Sequence, residues 1–485
     1  MEVKKYNKGN NNGIFPNVHA ETMNPKRMRI NANGKDMAKK HNFRRDGTVA
    51  DMKCAMPVGN GDFGAIVHGM PDDYFIRIAK NDLWWDDYPT KKSYVSYGID
   101  GIRKKLLDGD ISVNGDVQTA SATFERGPVQ TCAAKLTLHF LSGACFSNVR
   151  EQLDISEGIA STYFNASTAG GEFSGDFSIN TYFGRTNDVM TTWIDTTRSR
   201  EKSIGFVRME LNRPAFEPYD PTPENTIEKQ IEEYDKYYQA EPFADGDYWG
   251  FTVRLRRGEN PDSSPDFHYT VMCSVTSDKF TAVPALPSVL VEGRPKGDFL
   301  IFTTVVSSND AEDTAAEAKR RLERVHSPGL PNREYDSTGA WWRYFWNRSW
   351  IKLPENYASA WYWGLYEAAS ARCPGKACPG YLAPWHSQNY GNWGTHIFTY
   401  EETKSNLGLF STNHCDLIEP WVAFLHRVQD KVRAFTSDFY KLPGTCYPHS
   451  VSNDGNFASS GARVELNYDE HVYNGGSTKV GVGIL

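Results

Sequence analysis

The stretch Met56 to Gly69, MPVGNGDFGAIVHG, sets Gly59, Gly61 and Gly64 in the G-x-G-x-x-G spacing that can cradle the pyrophosphate of a dinucleotide. That chemistry needs a strand before the loop and a helix opening on the last glycine, because the helix N-terminus supplies the N–H donors. Here Gly64 leads into Ala65-Ile66-Val67 and then meets Gly69 and Pro71, a β-leaning run closed by helix breakers. The acid that would hold a ribose about 20 residues on would be Asp82, which stands in KNDLWW directly before two indoles. The spacing predicts a tight turn between two strands, and no cofactor is expected.

A second concentration of chemistry lies between Trp385 and Asn406. Trp385 and Trp393 could stack on the C–H face of a pyranose or pack in a core. His386 and His396, with His414 further on, could donate to sugar hydroxyls or satisfy loop carbonyls. Glu401 and Glu402 are adjacent; on a helix they point about 100° apart, so one bond can face only one of them. A solvated helix face is the alternative for either.

Composition narrows the classes. The chain has 485 residues, a net charge of -7 and 39% hydrophobic residues, so it can bury two or three cores and has no basic excess suited to nucleic acid. Aromatic residues reach 13%, which suits either a sugar-binding surface or large sandwich cores. No run approaches the roughly 18 apolar residues of a membrane span, and MEVKKYNKGNNNG lacks the apolar core of a signal peptide. The 8 cysteines are scattered without zinc spacing, so no metal site is expected, and their pattern does not set the compartment. Sequons stand at Asn165 and Asn347.

The elements that must position these residues change along the chain. Residues 1–45 are rich in Asn, Lys and Gly and read as a poorly ordered lead-in. From 46 to 308 the period is two. Tyr74, Ile76 and Ile78 alternate with Phe75, Arg77 and Ala79, and Phe267, Tyr269, Val271, Cys273 and Val275 share one face, so a large antiparallel β-sandwich is expected. At Ser308 the period becomes helical: Ala311, Ala315, Ala318, Leu322 and Val325 recur at three and four, within a helical linker assigned to 309–340. Aromatic helices follow in 341–485.

With these elements in place, MPVGNGDFGAIVHG followed by KNDLWW resembles the N-terminal signature of glycoside hydrolase family 95. The segment CPGYLAPWHSQNYGNWGTHIFTYEETKSN and the later STNHCDLIEPW also resemble that family. The resemblance implies a β-sandwich, a linker helix and an (α/α)6 toroid holding the sugar site, here incomplete. Aligned on Trp393, the family's two water-positioning asparagines fall on Tyr400 and Glu402, its glutamine on Lys404 and its next asparagine on Asn406; only the last is kept. HIFTYEE is also similar to the H-x-F-W-D-T-E run of family 65 phosphorylases and hydrolases, in which a glutamate stands at Glu402.

Glycoside hydrolysis places a protonated acid on the leaving oxygen and a carboxylate on water or on the anomeric carbon. The resemblance casts Glu402 as the base or water-orienting carboxylate, with Trp385, His386, Trp393, His396, Tyr400, Lys404 and Asn406 around the sugar. It places the general acid far downstream of Glu402, beyond Leu485; Asp454 is the nearest loop acid and reads as a turn residue before it reads as an acid. The resemblance therefore implies an inverting glycoside hydrolase acting on a carbohydrate, incomplete and inactive as this chain. A non-catalytic carbohydrate-binding protein is the alternative, and a scaffold without a sugar site a third reading.

Overall fold

In a computed structural model of the chain, the described residues are 33–49, 54–85, 98–110, 129–140, 144–168, 174–196, 205–214, 226–255, 267–285, 288–327, 330–385, 396–397, 400–445, 447, 450–451 and 453. The period-two runs become strands β1 (Phe43–Asp46), β2 (Met56–Gly59), β3 (Phe63–Met70), β4 (Asp73–Trp85), β5 (Val129–Phe140), β6 (Ala144–Asp154), β7 (Ile159–Thr168) and β8 (Ser174–Phe183). They continue as β9 (Met190–Asp195), β10 (Val207–Asn212), β11 (Tyr238–Asp245), β12 (Tyr248–Leu255), β13 (Phe267–Val275), β14 (Phe280–Ala285), β15 (Ser288–Gly293) and β16 (Phe299–Ser307). One sheet has nine strands in the order β1-β6-β7-β8-β9-β16-β13-β12-β11, and the other seven, β14-β15-β10-β5-β4-β3-β2.

Alternation puts one face of each strand into a shared core, as the sequence led us to expect. Tyr74, Ile76, Ile78, Leu136, Leu138, Val253 and Val271 are all fully buried. The two sheets meet directly: Phe63 of β3 packs edge-on against Phe183 of β8 with centroids 4.7 Å apart, and the Tyr269 hydroxyl of β13 donates to the Ala133 carbonyl of β5 at 3.1 Å. This is the antiparallel sandwich, with helices following it.

β16 ends at Ser307 and helix α4 starts at Thr314, after α1 (Gly34–Lys39), α2 (Gly98–Leu107) and α3 (Ile227–Tyr237) earlier in the chain. In α4 (Thr314–Val325) Asp313 is the N-cap and accepts from the Ala316 N–H at 2.9 Å. Its buried stripe is Thr314, Ala318, Arg321, Leu322 and Val325. Next come α5 (Leu330–Arg348) and α6 (Glu355–Ala371), then α7 (Tyr400–Ser411) and α8 (Glu419–Phe435). Helix α5 begins earlier than the aromatic run suggests and passes through residue 340; Pro331 is accommodated because it lies in the first helical turn.

Order also begins earlier than composition implies. Residues 1–32 lie outside the described residues, but Gly34–Lys39 is helical and β1 pairs with β6, where a poorly ordered lead-in was expected. The polar composition hides a few well-used groups. Ala38 is fully buried, and Gly34 lies so close to α5 that an added Cβ would be 2.0 Å from the Trp346 carbonyl oxygen.

Helix α5 carries an aromatic stack between the sandwich and the later helices. Trp342 stacks on Trp346 at 6.1 Å and on Tyr366 of α6 at 5.4 Å, and Trp341 on Phe345 at 5.3 Å. The Trp346 indole donates to Ile155 O at 3.1 Å and the Tyr366 hydroxyl to Pro57 O at 2.8 Å, tying both helices to sandwich backbone.

The glycine stretch is the turn between β2 and β3. Gly61 has φ +92°, and an added Cβ would stand 2.3 Å from Arg372 O, so the turn is also a docking surface for the end of α6. Gly61→Ala combines a left-handed backbone, costing about 1–2 kcal/mol, with that overlap. We expect a lowered melting temperature and early proteolytic release of the helical half; wild-type melting would contradict this packing.

Candidate functional site

The most highly organised polar group in the described residues is built around the turn at Gly61. On β4 the even positions Tyr74, Ile76 and Ile78 are buried, and from Ile78 to Trp84 both parities are, so Lys80 and Asp82 lie inside together with Ala79, Asn81 and Leu83. The Lys80 ammonium, 1% exposed, lies 2.7 Å from Asp82 Oδ1, 3.3 Å from Asp62 Oδ1 and 3.4 Å from Asp310 Oδ2. Asp82 Oδ2 accepts from Ser307 Oγ at 2.5 Å and Asn309 Nδ2 at 3.2 Å. Lys376, in the loop after α6, pairs with Asp62 at 3.0 Å and Asp188 at 2.9 Å. Arg321 of α4 reaches Asp310 at 3.6 Å and Asp188 at 3.9 Å.

Burial alone would strip Lys80 of its proton, but Asp62, Asp82 and Asp310 overcome this and hold its pKa above the ordinary lysine value. Burial would likewise raise Asp62, yet Lys80 and Lys376 keep it below the usual carboxylate range. Asp310 goes up, through burial and the neighbouring Asp82 and Asp62. Among the described residues no group of three or more His, Cys, Asp or Glu side chains could hold a metal ion. This cluster is a clamp between sandwich, α4 and the loop after α6. Sequence reasoning missed it as a unit, although charged residues on the buried parity of β4 were its visible signal. Lys80→Met leaves three carboxylates without their shared cation; removing one partner of a buried pair costs about 3–5 kcal/mol, to be read as a shift in the urea midpoint.

The expected sugar-site residues fall into three groups. His386, Trp393 and Asp454 lie outside the described residues. Trp385 turns to the sandwich, its indole N–H donating to Val58 O at 3.1 Å beside the glycine turn. His396 lies in the two-residue strand β17 (His396–Ile397), which pairs with β18 (Ser450–Val451).

Tyr400, Glu402, Lys404 and Asn406 all stand on α7. Glu402 is one turn before Asn406, and positions four apart share a helix face; Glu401 does not share it. The Asn406 side chain is 1% exposed and accepts from Arg372 Nη1 at 2.5 Å, while its Nδ2 has no hydrogen-bond partner among the described residues. Arg372, directly after α6, also reaches Ser405 Oγ at 3.4 Å. Nothing in sequence marked Arg372, because its link to α7 is made only by the return of the chain.

His414 is fully buried and stacks on Phe345 at 4.1 Å, which makes it a packing residue. Burial, with Arg348 nearby, pushes its pKa down from 6.5 to about 4. The folded chain thus keeps His414 neutral where the unfolded chain would protonate it, so stability is lost as pH falls from 6.5 toward about 4. That loss is about 2 kcal/mol at pH 5. Urea titrations at pH 7 and pH 5 should show a smaller difference for His414→Phe than for the wild type; equal differences would remove His414 from the acid response.

Comparison with known proteins bears on this arrangement. Residues 40–248 match the model of the glycosyl hydrolase family 65 N-terminal domain. Of the two families that the sequence resembles, family 65 is the one whose N-terminal domain model matches, and the family 95 assignment is not specifically supported. The solved structure of a protein assigned as a kojibiose phosphorylase, from the human microbiome, superposes with a TM-score of 0.61 at 12% identity, covering 91% of this chain and 55% of that chain. At this identity the likeness is one of fold: a sandwich with a helical domain, of glycoside hydrolase or phosphorylase type. A family GH92 inverting mannosidase from Bacteroides thetaiotaomicron aligns with a TM-score of only 0.29 at 10% identity, over 65% of this chain and 36% of that chain. No curated protein matches the chain by sequence. No described helix is long and apolar enough to cross a membrane.

Proposed function

We propose that the chain acts on a glycosidic bond of a carbohydrate, with its sugar site over the N-terminal half of α7 and Glu402 as general base or water-orienting carboxylate. The observation that carries this reading is the buried Asn406 amide, one turn from Glu402 and held on its oxygen side by Arg372, with Nδ2 unpaired among the described residues. A buried N–H without an acceptor is costly, and a ligand hydroxyl would satisfy it. The family 65 N-terminal domain and the phosphorylase-like fold support carbohydrate as the substrate class.

In this reading Glu402 takes the proton of a water that attacks the anomeric carbon from the face opposite the leaving group, giving inversion, while an acid not assigned among the described residues protonates the departing oxygen. Tyr400, Lys404, His396 and Trp393 would line the same pocket. In a form of the protein that turns over aryl glycosides, Glu402→Gln keeps the shape and removes the base, so turnover should fall by roughly 10² or more with sugar binding little changed. Unchanged turnover would reduce Glu402 to a surface residue. Sugar binding without turnover in the unsubstituted chain would favour the carbohydrate-binding reading instead.

A further inference from the structure

The outward face of the nine-stranded sheet carries a second arrangement, lined by residues of β6 to β9. Register places Arg150, Tyr163, Ser178 and Asp195 in one row across β6, β7, β8 and β9. The next row pairs Asn165 with Asp176. Together they line a shallow, open groove. On the other side, the parallel row Ser161, Asn180 and Trp193 extends the same surface.

These polar groups are fixed to one another. Asn148 Nδ2 donates to Asn165 Oδ1 at 2.6 Å, and Asn165 Nδ2 donates to Asp176. Ser161 Oγ donates to Asn180 Oδ1 at 2.8 Å, and Asn180 Nδ2 to Ser178 Oγ at 2.9 Å. Asn148 joins this chain because β6 shifts register between Ser147 and Arg150 and Asn148 takes φ +50°, which turns its amide toward β7. The Arg150 guanidinium lies 5.9 Å from the Tyr163 ring centroid.

Chemistry selects the occupant. One arginine against two aspartates leaves the groove no cationic excess for phosphate or nucleic acid. Amides, carboxylates and a hydroxyl offer both donors and acceptors, and the outward apolar groups are rings, Tyr163 and, on the flanking row, the half-buried Trp193. Two strand spacings separate these rings, roughly 10 Å across the sheet. Flat rings set among preorganised amides match a ligand with apolar C–H faces and a rim of hydroxyls.

We propose that this groove is a binding site for a neutral oligosaccharide, separate from the site on α7 and able to hold a glycan to the sandwich whether or not the chain acts on it. The test is affinity electrophoresis of the full chain through native gels containing dextran, pullulan, xyloglucan or galactomannan. At least one polysaccharide should retard it. Tyr163→Ala should weaken that retardation about tenfold, as truncating an aromatic anchor does, and Asp176→Ala should weaken it too, while Tyr163→Phe keeps it with an unchanged melting temperature. Glu402→Gln and Asn406→Ala should leave it intact, which separates failure here from failure of the α7 reading. The proposal is overturned if none of the four polysaccharides retards the chain, if Tyr163→Ala and Asp176→Ala both bind as wild type, or if chelation of divalent cations abolishes the retardation.

Discussion

A lysine ammonium buried to 1% exposure is the constraint on which the two halves of this molecule depend. Lys80 cannot stay charged there without anions on several sides, and the chain supplies them from separate places: Asp82 on its own strand, Asp62 in the glycine turn, and Asp310 in the turn after β16. Asp62 in turn takes Lys376 from the loop after α6, and Lys376 shares Asp188 with Arg321 of α4. Each added charge therefore recruits a segment more distant in sequence. The result couples the hairpin β2–β3, the first linker helix and the loop leading toward α7 in one electrostatic unit.

Hydrogen bonds and a cation–ring contact beside that unit give it a fixed frame. Asn81, next to Lys80, donates to Gly61 O at 3.1 Å and Ala371 O at 2.9 Å, closing the turn onto the end of α6. Arg185 lies 3.5 Å over the Trp341 ring and donates to Ala369 O at 3.0 Å. Arg372 follows Ala371 immediately, so the residue that holds Asn406 is placed by the same junction. The position of α7, and of any chemistry on it, is in this sense set from the sandwich.

Much of the fold was legible because it rests on periodicity. The alternation in β4, β5 and β13 and the three-and-four spacing before Val325 state which face is buried, and the structure buries those faces, except that Ala311 precedes α4 and Ala315 is only half-buried, with Thr314 and Arg321 completing the stripe. The glycine spacing was legible as a turn because its flanks lack a helix. The end of the lead-in, from Gly34 on, was misread because composition averages over Ala38 and Gly34, whose small size is what lets α1 approach α5. The clamp was hidden for another reason: Lys80, Asp188 and Lys376 are far apart in sequence, and pairing across such distances follows from topology. The groove rows were invisible in the same way, since Arg150, Tyr163, Ser178 and Asp195 become neighbours only through strand register. Trp385 and Trp393 looked equivalent in sequence, yet the Trp385 N–H is taken by Val58 O.

The aromatic stack on α5 gives the molecule a built-in optical reporter. Trp342 and Trp346 are almost wholly buried, 6.1 Å apart and nearly parallel at 21°, with Tyr366 stacked on the far side of the junction. Indoles at that spacing couple their electronic transitions, so the near-ultraviolet circular dichroism of the folded chain carries a signal from the contact between the helical half and the sandwich. Sheet content is read separately, in the far ultraviolet. Loosening of the junction and melting of the sheets are therefore distinguishable in one sample, without any label.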